Sequence, residues 1–225
     1  MGLDVIEQDF ARARRFMRDG QLTPNGVTDP FLLRAMDELP REVFLPAESR
    51  HRAYADEAVP LGVGRAMLAP MVLARLLQMA LPQPGERALV LAAGRGYGAA
   101  VLAHMGLQVL GIEADAEMVE AARHALQSTL HGNRPEIRLG DPCAGAAPGA
   151  PFRLILVEGA VTDLPPALFA QLGEGGRLVT IRRPSGQVGR AMLFRRAGGA
   201  VSEVDGLDAA GPMLAAFSPP PDFKL

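Results

Sequence analysis

The stretch 84–113, PGERALVLAAGRGYGAAVLAHMGLQVLGIE, constrains this chain more than any other. It reads as strand, glycine turn, helix, strand, then an acid. Residues 88–92 have the length and flanks of a buried strand, and Gly94, Arg95, Gly96, Tyr97 and Gly98 form the turn. Residues 99–105 have helical composition, and 109–112 are a second buried strand with Glu113 at its end. Glycines let a backbone approach a ligand at the mouth of a helix, where free N–H groups point outward. An acid about 20 residues on is placed to accept hydrogen bonds from a ribose diol. Such a unit is built to hold a nucleoside.

The turn leaves the nucleoside open. Residues 94–99 fit G-x-G-x-x-A, the dinucleotide fingerprint in its Ala-ended form. A dinucleotide domain usually opens its polypeptide, however, and here about 80 residues come first. Methyltransferases that use S-adenosylmethionine carry a related turn and the same ribose acid, often behind an N-terminal helical segment. Packing alone also accounts for Gly and Ala at a tight strand–helix turn.

At 225 residues the chain is expected to be a single domain over 1–225, with N-terminal helices and a loop over 1–83 and the nucleoside-binding core over 84–225. Chains of this size bury about 70% of their unfolded surface. Aromatics are only 5% and Trp is absent, so aliphatic side chains and Ala must pack the core. A net charge of −2 gives no generic nucleic-acid surface. One cysteine, Cys143, rules out an intramolecular disulfide and a Cys-based zinc cluster, and the four histidines show no ligand spacing. The charged first 20 residues do not resemble a signal peptide, and no apolar run is long enough to span a membrane. A cytoplasmic location is the expectation.

Along the chain, 4–18 form an amphipathic helix whose Ile6, Phe10, Ala13 and Met17 share a stripe. That stripe must pack on the domain or on a partner subunit, which leaves a homodimer through this helix open. Thr28 is read as the N-cap of a helix from Asp29 that ends before Pro40. A short helix is expected near 47–54, a glycine- and proline-punctuated loop over 58–70, and an apolar helix from Pro70 through Ala80. Beyond Glu113 the pattern gives a helix over 116–130, a strand over 137–139, a loop over 145–151, a strand over 153–157 and a helix over 165–172. That helix is ended by Gly173 and Gly175-Gly176, and a strand follows over 177–181. Residues 191–196 and 201–204 form a hairpin around Gly198-Gly199, and a tail runs from Pro212 through Pro219–221 and Phe223. The alternation predicts an α/β fold: a mostly parallel, doubly wound, Rossmann-like sheet with an antiparallel C-terminal addition.

From about 21 to 181 the chain resembles protein-L-isoaspartate O-methyltransferases. The resemblance is carried by Gly26-Val27, Asp29, Leu32-Leu33, Ala35-Met36 and the run Pro40-Arg41-Glu42-Val43-Phe44-Leu45-Pro46. It continues through Tyr54-x-Asp56, Pro60-Leu61-Gly62, Pro84-Gly85, Gly94-x-Gly96-Tyr97, Ala99 to Ala103, Glu113, Gly140-Asp141, Pro151-Phe152, Pro165 to Leu168 and Gly175 to Val179. It implies a class I methyltransferase domain and S-adenosylmethionine or S-adenosylhomocysteine as cofactor, with no metal. It places cofactor contacts at Ala92, Gly94, Gly96, Tyr97, Glu113 and Asp141. The implied partner is a protein or peptide carboxylate, isoaspartyl by default, with neither nucleic acid nor membrane.

The departures fall where the chemistry would be. The family's turn reads Glu/Asp-x-Gly-x-Gly-x-Gly, and here Val90 replaces the acid, Ala92 the first glycine, and Arg95 a small residue. The family's loop reads Gly-x-Thr-Ile-Ser-x-Pro, and here Ala66 and Leu68 replace the hydroxyls that would hold a substrate carboxylate. Arg153 stands in place of the usual Asp ahead of the fourth strand. The pattern is similar to a divergent bacterial branch with Arg at the Arg65 position and no Ser at the Leu68 position. The catalytic side is therefore expected at Arg65, Leu68 and Asp56, with Arg65 donating bidentately to a carboxylate. The attacked methyl needs no general base, because a carboxylate is already ionised at pH 7. Two other readings stay open: a catalytically silent relative kept as a binding or assembly module, and an NAD-linked oxidoreductase.

Overall fold

The computed structural model describes residues 2–62 and 64–218, with the side chains of 2–8 outside the description. The last prolines of the tail, Phe223 and the Ile6 side chain therefore lie outside the described residues. Helix α1, Gly2–Met17, runs into a wide turn at Arg18–Leu22. Met17 is fully buried and Phe10 and Ala13 pack on the main core, so the described part of the stripe packs on its own domain. Helix α2, Pro30–Glu38, is capped by Asp29, whose carboxylate accepts from the Phe31 and Leu32 N–H groups. The expected cap at Thr28 is thus one residue early: Pro30 takes the first helical position, where its missing N–H costs nothing.

The stretch expected as a loop over 58–70 instead holds a small antiparallel hairpin. Strand β1, Val59–Gly62, pairs with β2, Arg65–Met67. Helix α3, Pro70–Ala80, follows, and its end is locked to the sheet by Arg177, which donates to the Ala80 and Leu81 carbonyls and to Glu86.

Among the described residues, the main sheet has seven strands. They are β3 Arg87–Leu91, β4 Gln108–Glu113, β5 Glu136–Leu139, β6 Phe152–Val161, β7 Leu172–Arg182, β8 Arg190–Ala197 and β9 Ala200–Asp208, in the order β5-β4-β3-β6-β7-β8-β9. The first five in that order are parallel, and β8 and β9 add antiparallel to β7. Helices α4 Tyr97–His104, α5 Ala116–Thr129 and α6 Pro166–Ala170 make the β3–β4, β4–β5 and β6–β7 crossovers, while the β5–β6 connection carries only a short 3-10 turn at Ala147–Gly149. Alternate side chains divide the interior. Ala88, Val90, Leu154, Leu156 and Val179 pack with the N-terminal helices, α3, α4 and α5, while Leu89, Leu91, Ile155, Val157 and Leu178 pack with α6 and Phe217. Burial on both faces is why these strands read as unbroken apolar runs.

Several boundaries moved, among them the end of β9, which runs to Asp208 rather than 204. Strand β6 continues to Val161, four residues past the expected end, and β7 starts at Leu172 rather than 177. The glycines read as a helix stop lie inside β7, where the ladder with β6 shifts register between Phe152 and Leu154. Chain order reverses between β3 and β6, so the crevice beyond the carboxyl ends of these two strands is where an open α/β sheet binds its ligand.

Candidate active site

Leu91 pairs with Ile112 on one side and Val157 on the other. The next residue on each strand is Ala92, Glu113 and Glu158, so these three stand side by side at the switch point. Ala92 takes a left-handed conformation, φ +54°. Glycine adopts that conformation freely, whereas an alanine holds it only at a cost of about 1–2 kcal/mol. The turn thus holds a glycine-like backbone step at an alanine.

Glu113 is fully buried. Its Oε2 accepts from the Gly94 N–H at 2.7 Å, and its Oε1 accepts from the Ala114 and Asp115 N–H groups at 2.9 and 3.2 Å. Oε1 also takes Nη1 of Arg65 at 2.8 Å, and Nη2 of Arg65 donates to the Ala92 carbonyl at 2.8 Å. Arg65 therefore does not stand free in a solvated loop. The hairpin lays it across the acid expected to hold a ribose.

Arg65, Ala92, Glu113, Ala114, Asp115 and Pro142 line a cavity of ≈ 290 Å³ that Leu214–Phe217 close from the C-terminal side. This closing segment is held by Leu214, whose N–H donates to the Ala160 carbonyl at 2.8 Å. The volume is at the lower end for small-molecule sites, about 300–1,000 Å³. A larger cavity of ≈ 410 Å³ lies among Arg87, Gln108, Arg134 and Arg138, at the amino ends of β3 and β4. It is away from the switch point.

Beside the main cavity is a nearly closed space of ≈ 10 Å³, lined by Leu61, Arg65, Ala66, Gly94, Arg95, Tyr97 and Glu158 among others. Glu158 is 7% exposed. Burial is the main force pushing its pKa up to about 8, and the charge of Glu113 adds to it. Arg65, Arg41 and the Gly98 N–H oppose the rise. Arg41 is fully buried, donating to the Ala53 carbonyl at 2.7 Å and to the Leu68 carbonyl at 2.5 Å. Its guanidinium lies 4.8 Å from the centroid of the Tyr97 ring. Burial lowers the Arg41 pKa and raises that of the Tyr97 phenol.

The sequence-expected residues are brought together unevenly. Ala92, Gly94, Glu113 and Arg65 meet around the two cavities. Tyr97 starts α4 but is buried against Phe44 and Arg41, reaching only the small space. Gly96, φ +91°, faces Ala122 and Leu126 of α5, so its part is to turn the chain into α4. Asp141 is exposed and accepts the Cys143 N–H at 2.8 Å, which caps the turn after β5, while its neighbour Pro142 lines the cavity. Leu68 is buried in the main core, where its carbonyl anchors Arg41. Asp56 is exposed and lines neither cavity. Sequence reasoning missed Glu158 and Arg41. The signal for Glu158 was in view: an acid in the middle of an otherwise apolar buried strand.

These residues fit the nucleoside end of S-adenosylmethionine on one condition, that Arg65 yields Oε1 of Glu113. No helix is long and apolar enough to cross a membrane, and no group of residues could hold a metal ion, among the described residues.

The family profile for protein-L-isoaspartate(D-aspartate) O-methyltransferase matches residues 18–205. A protein-L-isoaspartate O-methyltransferase of Methylorubrum populi is 43% identical over 188 residues, covering 84% of this chain and 87% of that protein. One from Aeropyrum pernix is 38% identical over 177 residues, covering 77% and 68%. Among solved structures, a protein-L-isoaspartate O-methyltransferase superposes with TM-score 0.79 at 23% identity, covering 91% of this chain and 67% of that one. A Plasmodium falciparum protein described as the same enzyme, in complex with S-adenosyl-L-homocysteine, gives 0.73 at 18% identity, covering 88% and 97%. These structures carry the fold, and the profile and the relatives carry the lineage: the chain belongs to the protein-L-isoaspartate(D-aspartate) O-methyltransferase family.

Proposed function

We propose that this chain is an S-adenosylmethionine-dependent O-methyltransferase that esterifies a protein or peptide carboxylate, with isoaspartyl residues as the default acceptor. The observation that carries the reading is Glu113, fully buried at the switch point and clasped by three backbone N–H groups, beside a turn that keeps its glycine geometry at Ala92. The family relatives support the acceptor class. A silent binding module and an NAD-linked oxidoreductase are both less well supported by this lineage.

When bound, the cofactor would supply a sulfonium methyl group, the electron pair of the broken C–S bond staying on sulfur as the acceptor oxygen forms the new C–O bond. The chain's own work is positioning and removal of water. Glu113 holds the ribose end, and the Gly94 N–H keeps the carboxylate aimed. Leu214–Phe217 close the cavity from one side and the hairpin from the other. Arg65, once released from Glu113, would be free to donate to the acceptor carboxylate.

The test is transfer of a labelled methyl group to an isoaspartyl peptide and to its aspartyl counterpart, followed by mild alkali. Methyl esters release volatile methanol under base, whereas N-methyl, thioether and ether products do not. Base-labile label on the isoaspartyl peptide is the expected result. Base-stable label would overturn the carboxylate assignment, and no label with bound S-adenosylhomocysteine would favour the silent module.

A further inference from the structure

Resting on the reading above, the question is what holds the acceptor carboxylate now that the family's hydroxyls are gone. Ala66, at the Thr position, lines the small space beside the glycine turn. Leu68, at the Ser position, has turned into the core. The polar group facing that space from the sheet is Glu158. Its Oε1 is buried and makes no hydrogen bond of good geometry among the described residues, although the Gly98 N–H lies close enough to the carboxyl to favour its charged form. Glu158 stands one strand from Ala92, at the switch point itself. Gly98 leaves it room, since a methyl group there would run into the Glu158 carboxyl. Such an orphaned buried oxygen is costly unless a ligand completes it.

We propose that Glu158 is an acceptor-binding residue, which donates its carboxyl O–H to the substrate carboxylate and so replaces the family's lost hydroxyls. An ionised Glu158 would repel that substrate; a neutral one is a donor, as Ser and Thr are. The surroundings favour the neutral form. Burial and the carboxylate of Glu113 on β4 push against ionisation, opposed by Arg65 on β2, Arg41 in the turn after α2 and the Gly98 N–H on α4. Tyr97 on α4 and Arg95 in the glycine turn complete the charged and titratable groups lining the space. The proton stays on Glu158 throughout, because the acceptor brings none to remove. The residue therefore acts in binding and not as a base.

The experiment is calorimetric binding of an isoaspartyl peptide to protein saturated with S-adenosylhomocysteine, from pH 6 to 9, alongside KM and kcat for methyl transfer. Wild type, Glu158→Gln and Glu158→Leu are compared, with the S-adenosylhomocysteine thermal shift confirming that each is folded. Wild-type peptide affinity should be flat to about pH 7.5 and fall by about tenfold by pH 9, with kcat little changed. Glu158→Gln keeps an amide donor that does not titrate, so its affinity should be near wild type and flat across the range. Glu158→Leu should lose about 10–150-fold at neutral pH, the worth of one hydrogen bond to a charged group. If Glu158→Gln loses turnover as completely as Glu158→Leu, the residue is a base for a protic acceptor and the proposal is overturned. Unchanged peptide affinity in Glu158→Leu would also overturn it. The two readings separate cleanly: binding through Glu158 without methyl transfer sinks the catalytic reading alone, and transfer indifferent to Glu158 sinks this proposal alone.

Discussion

The glycine turn after β3 and the hairpin β1–β2 face each other across the same crevice, and they have diverged from their family in opposite ways. The turn carries Val90 and Ala92 where the resemblance implies an acid and a glycine, yet its backbone follows a left-handed step at Ala92 and presents the Gly94 N–H to Glu113. The hairpin keeps its place in the fold and has changed its chemistry, with Ala66 and Leu68 where hydroxyls stood and Arg65 reaching over to Glu113. A function delivered by main-chain N–H groups survives side-chain replacement at modest cost. A function delivered by side chains moves to another residue or is lost.

Arg41 is what the two regions share, and removing it should have the largest effect. It joins the Leu68 carbonyl of the acceptor side to the Tyr97 ring of the turn. Arg41→Ala deletes two charge-assisted bonds and leaves the Ala53 and Leu68 carbonyls unpaired. The expected destabilisation is about 3–5 kcal/mol, a drop in Tm of roughly 10 °C for a chain of this size. A thermal melt within a degree or two of wild type would show that the two regions are held independently.

Next in size is Arg65→Ala. Because Arg65 occupies Oε1 of Glu113, the ribose must displace it, and deleting it should tighten S-adenosylhomocysteine by about tenfold. The unliganded protein should lose about 1–3 kcal/mol at the same time. Weaker cofactor binding in this variant would place Arg65 within the cofactor site and not in competition with it.

The smallest effect sharpens the backbone side of the comparison. Ala92→Gly relieves the left-handed alanine and should stabilise the protein by about 1 kcal/mol, raising Tm by roughly 2–4 °C. A melting temperature that falls instead would mean that packing of the Ala92 methyl outweighs the strain.

Stability also carries a pH signature. Glu158 has its folded pKa raised to about 8, above its unfolded value, so folding takes up protons between the two. Its contribution is fully present below pH 4.5, falls as pH rises through that window, and is lost once pH passes about 8. Glu158→Gln should flatten this fall in an urea-melt series from pH 5 to 9. A wild-type slope unchanged by the substitution would place the titration elsewhere.

Strands β3, β4, β5, β6 and β7 were legible because a parallel strand buried on both faces writes itself as an apolar run. Glu113 was legible because its distance from the turn is fixed by the βαβ unit. The hairpin was not. Its strands are four and three residues long and carry Pro60 and Gly62, local signs of a loop, and its pairing of Val59 with Met67 is a tertiary fact. The Arg65–Glu113 contact was hidden for the same reason, since 48 residues separate the partners. The early start of β7 was masked by Gly173 and Gly175-Gly176, which end helices more often than they pair in ladders. Asp56 and Leu68 show the limit of transferring a motif: the positions align, but the side chains of this chain point to solvent and to the core.

The central claim is that the turn still binds the cofactor through Glu113 despite its altered side chains. Calorimetric titration of wild type and Glu113→Ala with S-adenosylhomocysteine tests it directly. Wild type should show saturable one-to-one binding, weakened by about 10–150-fold in Glu113→Ala. No binding by folded wild-type protein at millimolar ligand, or equal affinity in the two proteins, would contradict it.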